Sequence, residues 1–125
     1  MAGSKGSKYY DIFLDYSISL EHREKGEILN VETFQLLRFI METGSLKEAA
    51  NKQGISYRKA WGELQAIEEA LGFKLVERQR GGTMGGKTTL TVDGTKLLEA
   101  HKELRMEFDV AIKSMTKKFF HEINQ

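Results

Sequence analysis

The run Ser56-Tyr57-Arg58-Lys59 sets a hydroxyl, a phenol, a guanidinium and an ammonium in successive residues. At the start of a helix, such groups suit recognition of a polyanion. Arg and Lys grip phosphates or the O6/N7 edge of guanine, and a helix N-terminus offers free amides to an anion. Just beyond, Gly62 permits close backbone approach, and Glu63 can accept from cytosine N4 or repel mismatched sites. Taken alone, the same pattern also describes a solvated helix face. A second cluster, Gly81-Gly-Thr-Met-Gly-Gly86-Lys87-Thr88, fits the phosphate-loop spacing of Gly, four residues, then Gly-Lys-Thr. That chemistry needs a helix directly after the loop, to aim its amides at phosphate. Here Thr88-Thr-Leu-Thr-Val92 follows, which is poor helix and good strand. The loop is therefore expected to be a hairpin tip, with Lys87 suited to meeting a phosphate backbone.

Other chemistries find little footing. His22, His101 and His121 lie far apart with no ligand pattern, and there is no cysteine. No Ser/His/Asp set or paired carboxylates stand out. No catalysis, metal or cofactor is expected. No apolar run approaches the roughly 20 residues that span a membrane. The opening MAGSKGSK lacks an apolar signal core, which reads as cytoplasmic. The net charge is only +1, but it is uneven. Residues 1–43 hold five basic and seven acidic residues, residues 44–90 eight and five, and residues 91–125 six of each. The middle third, which contains both clusters, is the electropositive part.

The elements that position these groups follow from periodicity and caps. Residues 1–8 are polar and small and are expected to be disordered. From Tyr10 to Leu20 apolar and polar residues alternate, which predicts a strand, with Glu27-Ile-Leu29 as a short return strand. Asn30 can cap a helix over 31–43 with Phe34, Leu37, Ile40 and Met41 inward, ended by Gly44. Ser45-Leu-Lys-Glu48 has the capping-box pattern and opens a helix over 46–53 that buries Leu46, Ala49 and Ala50. After Gly54, a third helix over 56–71 carries a buried stripe of Tyr57, Ala60, Trp61, Leu64, Ile67, either Glu68 or Ala70, and Leu71. Trp61 reads as core rather than a stacking platform, and Tyr57 as partly exposed. A hairpin over 73–91 starts with Phe73 and Leu75 on one face and Lys87–Val92 as the partner strand. Thr91 can cap a last helix over 92–123, about 30 residues or roughly 45 Å long. Its apolar stripe, through Leu104, Phe108, Ala111, Ile112, Met115 and Phe119, outruns what a small core covers, so these residues are expected to form a dimer interface, the alternative being that the last turns fray or fold back on the strand over 10–20. His101 lies on the same stripe as a packed or interfacial residue.

Helix, helix, helix, hairpin in this order predicts a winged helix-turn-helix: α+β, mainly helical, one domain over 9–125 with an N-terminal strand or hairpin and a long C-terminal dimerisation helix. The stretches Thr43-Gly-Ser-Leu-Lys-Glu-Ala-Ala50, Ile55-Ser-Tyr-Arg-Lys-Ala-Trp61, Leu75-Val-Glu-Arg78 and Leu90-Thr-Val-Asp-Gly94 resemble the DNA-binding domain of the ModE family, molybdate-responsive bacterial transcription regulators. A more distant similarity runs to LysR-type regulators through Leu71-Gly72, Leu75, Glu77-Arg78, Leu90-Thr91 and Gly94. The match covers about residues 30 to 104. It implies double-stranded DNA as partner, bound by a symmetric dimer. Ser56, Tyr57, Arg58 and Lys59 would then lie at the major groove, Ser45 and Lys47 at the backbone, and Arg78, Arg80 and Lys87 on or beside the wing at 78–88. The family's molybdate-binding domains have no counterpart in this sequence, so molybdate sensing is not carried over. The second reading is a winged-helix interaction module that does not bind DNA and docks to a separate ligand-sensing protein.

Overall fold

The computed structural model describes residues 6, 8–79 and 86–124. Along the chain run β1 (Leu20–His22), β2 (Gly26–Leu29), α1 (Val31–Thr43), α2 (Leu46–Gln53), α3 (Tyr57–Leu71), β3 (Val76–Gln79), β4 (Lys87–Leu90) and α4 (Val92–Ile123). Both β-pairs are antiparallel hairpins. This is a winged helix-turn-helix, mainly helical. The chain divides into two compact units, one spanning Ile18–His101 and the other made of residues up to Ser17 together with those from Lys102 onward.

In the Ile18–His101 unit the helix boundaries are set by side-chain caps. Asn30 Oδ1 accepts from the Thr33 amide at 3.0 Å while Thr33 Oγ1 accepts from the Asn30 amide at 2.7 Å, so the full capping box sits on α1. On α2, where the sequence pattern predicted that box, only half of it forms. The Glu48 amide donates to Ser45 Oγ at 3.1 Å, but the Ser45 amide donates to Thr43 Oγ1 at 3.2 Å. Thr43, the last residue of α1, lies two positions from Ser45 and takes the bond that Glu48 would have supplied. Gly44, with φ 69°, makes the turn between the two helices. Ser56 opens α3 by accepting from the Lys59 amide at 3.0 Å.

The core joins Phe34, Leu36, Leu37 and Ile40 of α1 to Leu46, Ala49 and Ala50 of α2 and to Ala60, Leu64 and Ile67 of α3. Leu29, Leu75, Val76 and Leu98 close it. Met41, expected inside, is 55% exposed, because the buried row of α1 is centred on Leu37 and places Met41 at its margin. His101 packs, its ring stacked on Phe34 with centroids 3.7 Å apart. His22 Nδ1 accepts from the amides of Glu24 and Lys25 at 3.0 and 3.2 Å, which closes the β1–β2 turn.

The hairpin departs from its predicted start. Phe73 is exposed, whereas Leu75 and Val76 are both buried and β3 begins at Val76. Glu68 is the reason. Its Oε2 accepts from the amides of Leu75 and Val76 at 2.6 and 3.1 Å, tying the entry to the hairpin to α3. Leu75 is also held from the far side, where its carbonyl accepts from the Thr91 amide at 2.9 Å. A Cβ built on Gly94 would lie 2.2 Å from that carbonyl oxygen, so the first turn of α4 can approach β3 only with glycine there. Thr91 caps α4 through its Oγ1, which accepts from the Gly94 amide at 3.0 Å.

The strand predicted from Tyr10 to Leu20 is not formed. Among the described residues Leu20–His22 pairs with β2, Phe13 makes an isolated β-bridge, and residues 14–19 hold no regular structure. The alternation survives as exposure, with Leu14, Tyr16 and Ile18 half-buried between exposed neighbours. Within the unit made of residues up to Ser17 and from Lys102 onward, two tyrosines in or just before this stretch pack on a helix rather than pair with a strand. The Tyr16 ring lies 5.8 Å from Phe108 of α4 and its hydroxyl donates to Asp109, while the Tyr9 ring lies 6.2 Å from the buried Phe120. The predicted disorder of residues 1–8 falls mostly outside the described residues.

Candidate nucleic-acid interface

Capping and turn chemistry bring the candidate groups to the start of α3. Gly54, with φ 77°, turns the chain out of α2, and Ser56 then satisfies one of the free amides of α3. The amides of Tyr57 and Arg58, in the first turn, have no carbonyl within the helix to bond, and anions are favoured at such a position. Tyr57, Arg58, Lys59 and Gly62 are all exposed, while Glu63 is half-buried and so turned partly away from the open face. Gln65 and Ala66 are exposed one turn beyond Gly62. Gln65, absent from the residues expected at the groove, lies three positions past Gly62 and so on the same face as Arg58.

Lys47, Arg58, Lys59 and Lys87 enter no ion pair among the described residues, where the salt bridge found is Arg38–Glu42 at 3.8 Å on the surface of α1. Lys47 is exposed in the first turn of α2, and Ser45 is half-buried as its cap. Lys87 opens β4 opposite Gln79, and β4 is tied to the α1–α2 turn by a bond from the Thr88 amide to the Gly44 carbonyl at 2.9 Å. Lys87–Leu90 is a strand, so the glycine run is not followed by the helix that a phosphate loop requires. Arg80 lies outside the described residues, as does the wing tip over 81–85.

Arg78 is placed differently from the other cations. Its guanidinium lies 4.4 Å from the Trp61 ring centroid and 5.5 Å from that of Tyr57, and it donates to the Tyr57 hydroxyl. Trp61 is half-buried and packs against the core from one side. The expectation of a core tryptophan holds for one face of the ring, while Arg78 covers another part of it.

In the other unit, Leu104, Phe108, Met115 and Phe119 are exposed, Met115 at 60%, and Ala111 and Ile112 are half-buried. Their spacing of three and four puts them along one side of α4.

Residues 31–95 match the family described as bacterial regulatory helix-turn-helix protein, lysR family. The chain belongs to the lysR family. Both resemblances read from the sequence are found. The lysR-family chain is 38% identical over 76 residues to the molybdenum-pterin-binding protein MopB of Rhodobacter capsulatus, covering 61% of this chain and 28% of that protein. It is 37% identical over 67 residues to the transcriptional regulator ModE of Haemophilus influenzae, covering 54% of this chain and 26% of that one. The chain thus spans roughly a quarter of the length of these relatives. Among solved structures, the BenM DBD in complex with benA site 1 DNA superposes with a TM-score of 0.54 at 25% identity, over 73% of this chain and 96% of that chain. The CbnR DBD–DNA complex gives 0.53 at 25% identity, over 69% and 94%. Among the described residues, no helix is long and apolar enough to cross a membrane.

Proposed function

We propose that this lysR-family chain is a double-stranded DNA-binding transcription regulator that acts as a homodimer. The observation that carries the reading is the exposed start of α3, where Arg58 and Lys59 enter no ion pair among the described residues and lie beside free helix amides. Likeness to the DNA complexes of the BenM and CbnR DBDs supports it. In this reading α3 enters the major groove, with Arg58 reading guanine and Gln65 within reach of adenine N6/N7 through its amide. Ser45 and Lys47 hold the backbone, and Lys87 meets flanking phosphates from the wing. A second copy covers the α4 stripe and sets two reading helices about one helical turn, roughly 34 Å, apart. No catalytic step is assigned to the chain.

The test is fluorescence anisotropy with a labelled duplex pool, titrated at several salt concentrations. Log affinity should fall linearly with log salt, by about 0.9 for each phosphate neutralised. After selection of a preferred site, Arg58→Ala should cost about 1–3 kcal/mol on that site and relax preference at one base position. Equal weakening on every sequence would make Arg58 a phosphate contact instead. Absence of duplex binding at low salt would overturn the reading in favour of an interaction module that docks to a separate ligand-sensing protein.

A further inference from the structure

Arg78 departs from the pattern of a phosphate-contacting wing residue. In β3 it shares a face with Val76, which is buried, while Glu77 and Gln79 take the opposite face. Its cross-strand partner is Thr88, also buried, whereas Gln79 pairs with Lys87, and both of these are exposed. The strand pleat therefore sets Arg78 on the side of the helices, where its side chain stays exposed while lying over the aromatic rings of α3. Tyr57 and Trp61 are four residues apart on α3 and meet it on one face. A single guanidinium thus covers two rings and donates to the Tyr57 hydroxyl. Further along the same helix, Glu68 binds the amides of Leu75 and Val76. Strand β3 is consequently pinned to α3 at two places, one near each end of the helix. The wing and the first turn of α3 have to meet one duplex together, and the pin near that first turn is Arg78.

We propose that Arg78 is a positioning residue, which fixes the wing against the start of α3 through Trp61 and Tyr57 and makes no phosphate contact of its own. The proposal rests on the DNA-binding reading and goes one step further. The planar guanidinium lies over the Trp61 ring while donating to the Tyr57 hydroxyl, and lysine keeps the charge but not that flat, forked contact. A phosphate contact, by comparison, depends mainly on charge and is largely retained by lysine.

The experiment compares wild type, Arg78→Lys, Arg78→Ala and Tyr57→Phe, each first shown to keep its far-UV circular dichroism. Trp61 is the single tryptophan, so its fluorescence reports on the cluster in the free protein. Acrylamide should quench Trp61 more readily in both Arg78 variants than in wild type. Duplex affinity should fall about tenfold in both Arg78 variants and less in Tyr57→Phe, with the slope of log affinity against log salt unchanged. If Arg78→Lys binds like wild type and Arg78→Ala lowers that slope by about 0.9, Arg78 is a phosphate contact and the proposal is overturned. Quenching unchanged in both Arg78 variants would overturn it as well. Wild-type protein that ignores duplexes at every salt concentration would instead overturn the DNA-binding reading itself, and the positioning role with it.

Discussion

The two units of the chain treat their apolar residues in opposite ways. In Ile18–His101, Leu29, Leu36, Leu37, Ile40, Leu64 and Leu75 are fully buried, and the helix caps are satisfied by their own side chains. In the other unit Phe120 is the large apolar side chain that is well buried among the described residues, whereas Phe108, Val110, Met115 and Phe119 stand exposed. The first arrangement is an enclosed apolar core within one unit. The second has the exposed apolar side expected of a helix that completes its packing with another molecule. Folding and assembly are thereby assigned to different residues, and substitutions should separate them.

The largest effect is expected inside the first unit. Leu37→Ala should lower stability by about 2–5 kcal/mol, read by chemical denaturation, because the site is enclosed on all sides. A loss below about 1 kcal/mol would mean that this core is far looser than its burial implies. Gly94→Ala should follow, at about 1–3 kcal/mol, since its Cβ meets the Leu75 carbonyl rather than a flexible side chain. A melting temperature equal to wild type would show that α4 and β3 separate at no cost.

A different signature is expected from α4. Phe108→Ser combined with Met115→Ser should weaken self-association by more than tenfold, seen in sedimentation, and leave the cooperative unfolding of the winged unit in place. Loss of folding alongside loss of association would erase the distinction between the units. The smallest effect concerns Tyr16. Its hydrogen bond to Asp109, reinforced by that residue's charge, raises its pKa above the ordinary tyrosine value. A raised value in the folded state favours the neutral phenol. The contact therefore contributes fully below the ordinary tyrosine range and is lost as pH rises through the elevated value. Titration of tyrosinate absorbance should show one late-ionising tyrosine, absent in Asp109→Asn. Identical titrations would remove the contact from solution.

Much of the winged helix was legible in the sequence because its signals are local. Asn30, Gly44, Ser45, Gly54, Ser56 and Gly72 mark helix ends through their own backbone and side-chain chemistry, and each lies at such an end in the structure. What escaped depended on partners distant in the chain. The alternation from Tyr10 to Leu20 is real, but nothing local shows that Tyr16 faces Phe108 of a helix rather than a neighbouring strand. The start of β3 is set by Glu68, seven residues before Leu75, on a helix where periodicity alone left its orientation open. Arg78 and Lys87 look alike as wing cations, and only the hairpin register separates the cation on the inner face from the one on the outer. Gln65 was missed for a simpler reason, since its place follows from helical spacing past Gly62.

Sedimentation velocity of the full chain, from sub-micromolar to about 100 μM with the Phe108→Ser/Met115→Ser variant alongside, tests the division between the units most directly. The account predicts a species of two chains for the wild type and a folded single chain for the variant over the same range. A wild-type protein that stays a single chain throughout would contradict it, and would leave the exposed side of α4 to some other partner.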